Sequence, residues 1–140
     1  MINKDTDNKL PIYKLTSKDK VLKYYDDWTK NAQFNQDMID WKYTAPVNTV
    51  QLLDKYINDK NIKILDAGCG SGLAGIELKK RGFANIYGVD FSQSMLNLIP
   101  NNVYQTIELI DLNEPLKYDN NDFDATVSYT HLTLPTICSV

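Results

Sequence analysis

The stretch of this 140-residue chain best equipped for chemistry is ILDAGCGSGLAG, residues 64 to 75. It sets a carboxylate, Asp66, at the end of an apolar run, after which Gly68, Gly70 and Gly72 alternate through a turn. Glycine there permits positive φ and lets a ligand lie against the main chain with no Cβ in the way. A second acid, Asp90, follows Gly70 by 20 residues, and Asp111 stands after a further apolar run. Acids in such places accept hydrogen bonds from the hydroxyl and amino groups of a ligand. Gly70, Gly72 and Gly75 also satisfy GxGxxG, the dinucleotide pattern, with Asp90 where an acid would hold a ribose.

The two candidate ligands differ in the sign of their charge. A pyrophosphate is doubly negative and sits at a helix N-terminus, where Asp66, two positions before Gly68, is a poor neighbour. A ligand bearing positive charge suits that carboxylate better. S-adenosylmethionine has a sulfonium and an ammonium, no phosphate, and ribose hydroxyls that need an acceptor. Two unit charges about 4 Å apart interact by roughly 4 kcal/mol at an effective dielectric of 20, attracting or repelling according to sign. The sign favours the methyl donor, and the alternatives are an NAD(P)-binding module or a binding fragment without turnover.

A turn of this kind needs a strand before it and a helix after it. Ile62 to Leu65 reads as a short buried parallel strand, and Leu73 to Arg81 as a helix closed by Gly82 in the left-handed region. Ala84 to Val89 reads as a second strand. Ser92 caps a helix through Met95, Leu96 and Ile99, which Pro100 ends. Val103 to Leu109 is a third strand and Phe123 begins a fourth. Strands alternating with helices imply a doubly wound parallel sheet, a Rossmann-like α/β fold, with ligands outside the carboxyl ends of the strands. Ahead of it, Ser17 caps a helix carrying Val21, Leu22, Tyr24, Tyr25 and Trp28 on an aromatic face through about Lys30. A second helical pattern runs over Phe34, Met38, Ile39 and Trp41. Pro46 opens a third at its first turn.

ILDAGCGSG followed by GVDFSQSML, and then IDL and FDA, resembles the class I S-adenosylmethionine-dependent methyltransferases over about residues 60 to 125. The N-terminal YYDDWTKNAQFNQDMIDWKYTAP resembles their small-molecule type, with helices laid over the cofactor, as in the methyltransferase-like protein of the Williams-Beuren syndrome region and its bacterial relatives. The resemblance implies that Asp66 lies near the methionine end of the donor, with Gly68 and Gly70 giving close backbone approach and Cys69 serving as a small spacer. It implies that Asp90 accepts both ribose hydroxyls, that Phe91 and Met95 pack on the adenine, and that Asp111 and Leu112 meet its amino group and ring edge. Tyr25 and Trp28 either close over the methionine end or form a core stripe. The implied activity is methyl transfer to a small-molecule acceptor by in-line displacement, and no residue stands out as a catalytic base.

Composition bounds the rest. With 43% hydrophobic and 24% charged residues the chain is an ordinary globular domain, and a net charge of −3 without a lysine stripe argues against duplex nucleic acid as partner. Two separated cysteines and one histidine cannot build a zinc site. No signal peptide or membrane span is legible, so a cytoplasmic protein is expected. The order expected is a polar arm over 1–16, cofactor-covering helices over 17–60, the donor-binding sheet over 61–125, and a tail over 126–140. VSYTHLTLPT in that tail resembles the translation of a sequencing-library adapter, which leaves His131 and Cys138 without functional weight. The family pattern has a seven-stranded sheet and this chain about four strands, so the polypeptide as given is expected to be marginally stable and inactive, while its intact parent is expected to be an enzyme.

Overall fold

The computed structural model describes residues 14–128 of the chain. Helices α1 (Lys18–Thr29), α2 (Gln33–Asp40) and α3 (Ala45–Tyr56) precede an alternating set: β1 (Ile64–Ala67), α4 (Leu73–Lys80), β2 (Ile86–Asp90), α5 (Gln93–Leu96), β3 (Thr106–Leu109) and β4 (Ala125–Val127). The strands form one sheet in the order β3-β2-β1-β4, with every pairing parallel. The order reverses beside β1, so the sheet has its switch point at the strand that leads into the glycine turn.

Local signals account for most element ends. Ser17 caps α1, its hydroxyl accepting from Lys20 N, and Pro46 sits in the first turn of α3. Gly82, at φ +90°, closes α4 in a Schellman arrangement: Phe83 N donates to Leu78 O at 3.2 Å and Gly82 N to Lys79 O at 3.0 Å. Phe83 and Leu78 then meet in the core. Several boundaries differ from those read from sequence. β1 begins at Ile64 and runs to Ala67, and β2 begins at Ile86 and runs through Asp90, so both reach further toward the ligand side. α5 ends at Leu96 rather than Ile99, because Leu98 N and Ile99 N turn to three-residue hydrogen bonds with Met95 O and Leu96 O. β3 begins at Thr106 rather than Val103, and β4 at Ala125 rather than Phe123. Thr126 and Val127, from the segment set aside as a tail, pair with Leu65 and Asp66, and Val127 is buried. His131 and Cys138 lie outside the described residues.

Two apolar clusters hold these layers. Val50 of α3, Ala74 and Leu78 of α4, Phe83, and the strand residues Ile64, Ile86 and Val127 make the first, between helices and sheet. Each of these side chains larger than alanine contributes roughly 1.5–3 kcal/mol when fully buried. Val21, Tyr25 and Trp28 of α1, Phe34 and Met38 of α2, and Met95 of α5 make the second, with Phe91 packed against it. Helices α1 and α2 therefore sit on the turn that follows β2, at the carboxyl end of the sheet, whereas α3, expected with them over the cofactor, packs on α4 instead.

Candidate functional site at the glycine turn

β1 delivers the chain into a turn whose conformation requires glycine. Gly68, Gly70 and Gly72 take φ of +73°, +54° and +87°. A Cβ on Gly68 would meet nothing within 4 Å, so open space lies above it. Four main-chain amides of the turn are committed within the protein. Gly68 N and Cys69 N both donate to Val89 O, at 2.8 and 2.9 Å, and Gly72 N donates to Cys69 O at 2.9 Å. Gly70 N donates to Asp90 Oδ2 at 2.9 Å.

Asp90 closes the other side of the turn. Its Oδ1 accepts from Ser92 N at 2.9 Å, and the residue is 8% exposed. Burial raises its carboxyl above the usual range, opposed by the amides of Ser92, Gly70 and Phe91. A carboxylate offers about four lone-pair sites. The bonds from Ser92 and Gly70 fall on different oxygens, and the carboxylate keeps acceptor capacity beyond them.

Asp66 is placed differently from the position its sequence spacing suggests. Side chains alternate along a strand, so Asp66 shares the face of Ile64, which α4 covers. It lies beneath the turn rather than at its mouth, 1% exposed, with its Oδ2 accepting from Tyr104 Oη at 2.7 Å. Burial, chiefly, pushes its carboxyl up to about 7, opposed by the Tyr104 hydroxyl and aided by Asp90. The carboxyl is thus no fixed negative charge facing an incoming ligand.

The other residues singled out from sequence surround the same corner. Met95 is buried, its Cε 3.1 Å from where a Gly70 Cβ would stand. Phe91 is half-buried and meets the Tyr25 ring edge-on at 6.2 Å. Trp28 lies one step further back, against Phe34 at 4.7 Å, with its Nε1 donating to Asp37 Oδ2 at 2.6 Å. Asp111 pairs with Lys18 at 2.8 Å and is held below the usual carboxylate range by that lysine and by Asn113. Leu112 beside it is half-buried. A cavity of about 230 Å³ at the end of β3 is lined by Leu109, Ile110, Asp111, Glu114 and Pro115, among others. Cys69 is buried, and burial, followed by Asp66 and Asp90, raises its thiol, so it offers no thiolate. Among the described residues no group of three or more His, Cys, Asp or Glu could hold a metal ion, and no helix is long and apolar enough to cross a membrane.

Two participants escaped the sequence reading. Lys18 reaches Asp111 from the first turn of α1, and Tyr104 reaches Asp66 from 38 residues away. No local pattern marks either. The capping of α5 by Ser92 was legible, but not that its amide completes the Asp90 carboxylate.

Comparison with known proteins agrees on one kind of domain. A family described as "Methyltransferase domain" matches residues 64–138, more than half of the chain and into the segment beyond β4. Human methyltransferase-like protein 27 is 34% identical over 110 residues, covering 76% of this chain and 44% of that protein. Zebrafish EEF1A lysine methyltransferase 2 is 43% identical over 42 residues, covering 30% of this chain and 18% of that protein. The chain therefore spans less than half the length of these curated relatives. Among solved structures, the magnesium protoporphyrin IX methyltransferase of Synechocystis PCC 6803, crystallised with bound SAH, superimposes with a TM-score of 0.53 at 18% identity, covering 75% of this chain and 56% of that one. That likeness is one of fold.

Proposed function

Because the chain belongs to the methyltransferase domain family, we propose that its glycine turn binds S-adenosylmethionine and that the whole protein transfers the donor's methyl group to a small-molecule acceptor. The observation that carries this reading is the Asp90 carboxylate, which bridges the glycine turn and the turn after β2 through Gly70 N and Ser92 N and keeps acceptor capacity for the ribose. The residues present fit that group. The space above Gly68 admits a nucleoside against the main chain, and Phe91 and Met95 offer apolar surface beside it. Asp111 and Leu112 stand at the end of β3 for the adenine edge. The family match is to a methyltransferase domain rather than to a dinucleotide-binding one. The NAD(P) alternative is not favoured.

When bound, the sulfonium supplies an already activated methyl group, so the protein's part is positioning and electrostatics. Asp90 orients the ribose. Asp66, beneath the turn, supports the main chain there through its bond from Tyr104. Tyr25, in edge contact with Phe91, ties the N-terminal helical layer to the nucleoside side of the site, and Trp28 backs it from within that layer. A small-molecule acceptor is the reading suggested by α1 and α2, which pack against Phe91 and α5 beside the turn. The likeness of 126–140 to translated adapter remains our reading of that segment, as do the absence of nucleic-acid and membrane partners and a cytoplasmic site of action. Calorimetric titration of this chain with S-adenosylhomocysteine tests the donor assignment: we expect saturable binding that Asp90→Ala weakens by about 1.5 kcal/mol or more, the value of a hydrogen bond to a charged group. Binding unaffected by Asp90→Ala would remove the basis for the assignment.

A further inference from the structure

Tyr104 lies in a slot lined by three glycines from three parts of the fold. A Cβ on Gly75, in the first turn of α4, would overlap the Tyr104 Cζ and Oη and stand 2.8 Å from Cε1. On Gly88, in the middle of β2, it would stand 3.0 Å from Cδ1 and Cε1, and on Gly72 it would stand 3.3 Å from Cε2. Real Cβ atoms do not approach that closely at the first of these sites, and the others are tight. Gly72 has a second reason to be glycine, its φ of +87°, but Gly75 and Gly88 do not have positive φ. Their missing side chains answer to the ring. Gly88 is also the register partner of Asp66, and the slot ends at that carboxylate, where Tyr104 Oη donates to Oδ2 at 2.7 Å.

We propose that Tyr104 is the positioning residue of the donor site, holding the Asp66 carboxyl in one orientation beneath the turn, and that Gly75 and Gly88 exist to admit its ring. The proposal rests on the donor-binding reading of the turn. It also reassigns the third glycine of the GxGxxG pattern, which here makes room for a tyrosine rather than for helix packing against a dinucleotide site. The titratable groups facing Asp66 are the Tyr104 hydroxyl, the Asp90 carboxyl and the Cys69 thiol. Of these only Tyr104 donates to it, so removal of the hydroxyl favours the protonated acid.

Carbon-13 NMR of the Asp66 carboxyl and the Tyr104 Cζ, followed against pH in the 140-residue chain, reads this without any ligand. In the unmodified chain the Tyr104 Cζ resonance is expected to step at the Asp66 midpoint. Tyr104→Phe should move that midpoint upward by roughly one pH unit, the equivalent of one hydrogen bond to a charged group. The pH profile of S-adenosylhomocysteine affinity should move with it. Gly75→Ala should give the same displacement in the unmodified background and none on top of Tyr104→Ala. A purely structural tyrosine would lower the melting temperature and leave both profiles in place, and that result overturns the proposal. If a variant fails to fold, the coupled titration in the unmodified chain decides: a Tyr104 resonance indifferent to Asp66 refutes it. An unmodified chain that titrates as described but binds no S-adenosylhomocysteine refutes the donor reading instead.

Discussion

Asp90→Asn changes one atom of the site, and its consequence can be worked out from two hydrogen bonds. The carboxylate accepts from Gly70 N through Oδ2 and from Ser92 N through Oδ1, each at 2.9 Å. Asparagine has the same shape but one acceptor, so whichever way the amide is turned its NH2 group confronts one of the two N–H donors. A hydrogen bond to a charged group is worth about 1.5–3 kcal/mol, and a buried donor left unsatisfied costs about 1–3 kcal/mol. Part of this is returned, because burial raises the Asp90 carboxyl and the neutral amide escapes that desolvation. A net loss of about 1–3 kcal/mol follows, which for a domain of this size lowers the melting temperature by roughly 4–12 °C. Circular dichroism melts at pH 7 in the absence of ligand measure it. Asp90→Ala, which leaves both amides unpaired, should melt lower still. An Asp90→Asn chain that melts with the unmodified one, or an alanine variant more stable than the asparagine variant, would show that the carboxylate does not hold the turn.

Asp66 predicts the opposite sign. Its carboxyl is raised from 3.8 to about 7 by burial, so between those values the folded chain keeps a proton that the unfolded chain has released, and stability falls as pH rises through that window. Asp66→Asn, which still accepts from Tyr104, should flatten this dependence and raise the urea midpoint at pH 8; a steeper curve would contradict the assignment. Ala32 has φ +58° between α1 and α2, a region costing an L-residue about 1–2 kcal/mol, so Ala32→Gly should stabilise by up to about 1 kcal/mol after its entropic cost, read as a higher urea midpoint. Trp28→Ala should cost about 3–5 kcal/mol and abolish the near-ultraviolet dichroism of the aromatic cluster, whereas Trp28→Phe, losing the bond to Asp37, should retain much of that signal.

What sequence made legible here is what local physics decides. Ser17 and Gly82 mark helix ends because capping and a left-handed residue are short-range events, and both are found where their types place them. The parallel order of the sheet follows from alternating elements. The depth of Asp66 is another matter: the residue stands on the face that α4 covers, and only the packed helix reveals that it is beneath the turn. Tyr104 illustrates the same limit, since its ring, three glycines and a carboxylate converge from separate elements. The early end of α5 and the late start of β3 belong together, because residues 97–105 turn back to carry Tyr104 under α4 rather than extend either element.

The central claim is that the turn from β1 to α4 accepts a sulfonium nucleoside and not a pyrophosphate. Parallel 1H–15N spectra of this chain titrated with S-adenosylmethionine and with NAD test it most directly. The account predicts saturable shifts at Gly68, Gly70, Asp90, Phe91 and Asp111 with the nucleoside, and none of comparable size with NAD. Shifts at those amides with NAD, reversed by free pyrophosphate, would contradict it.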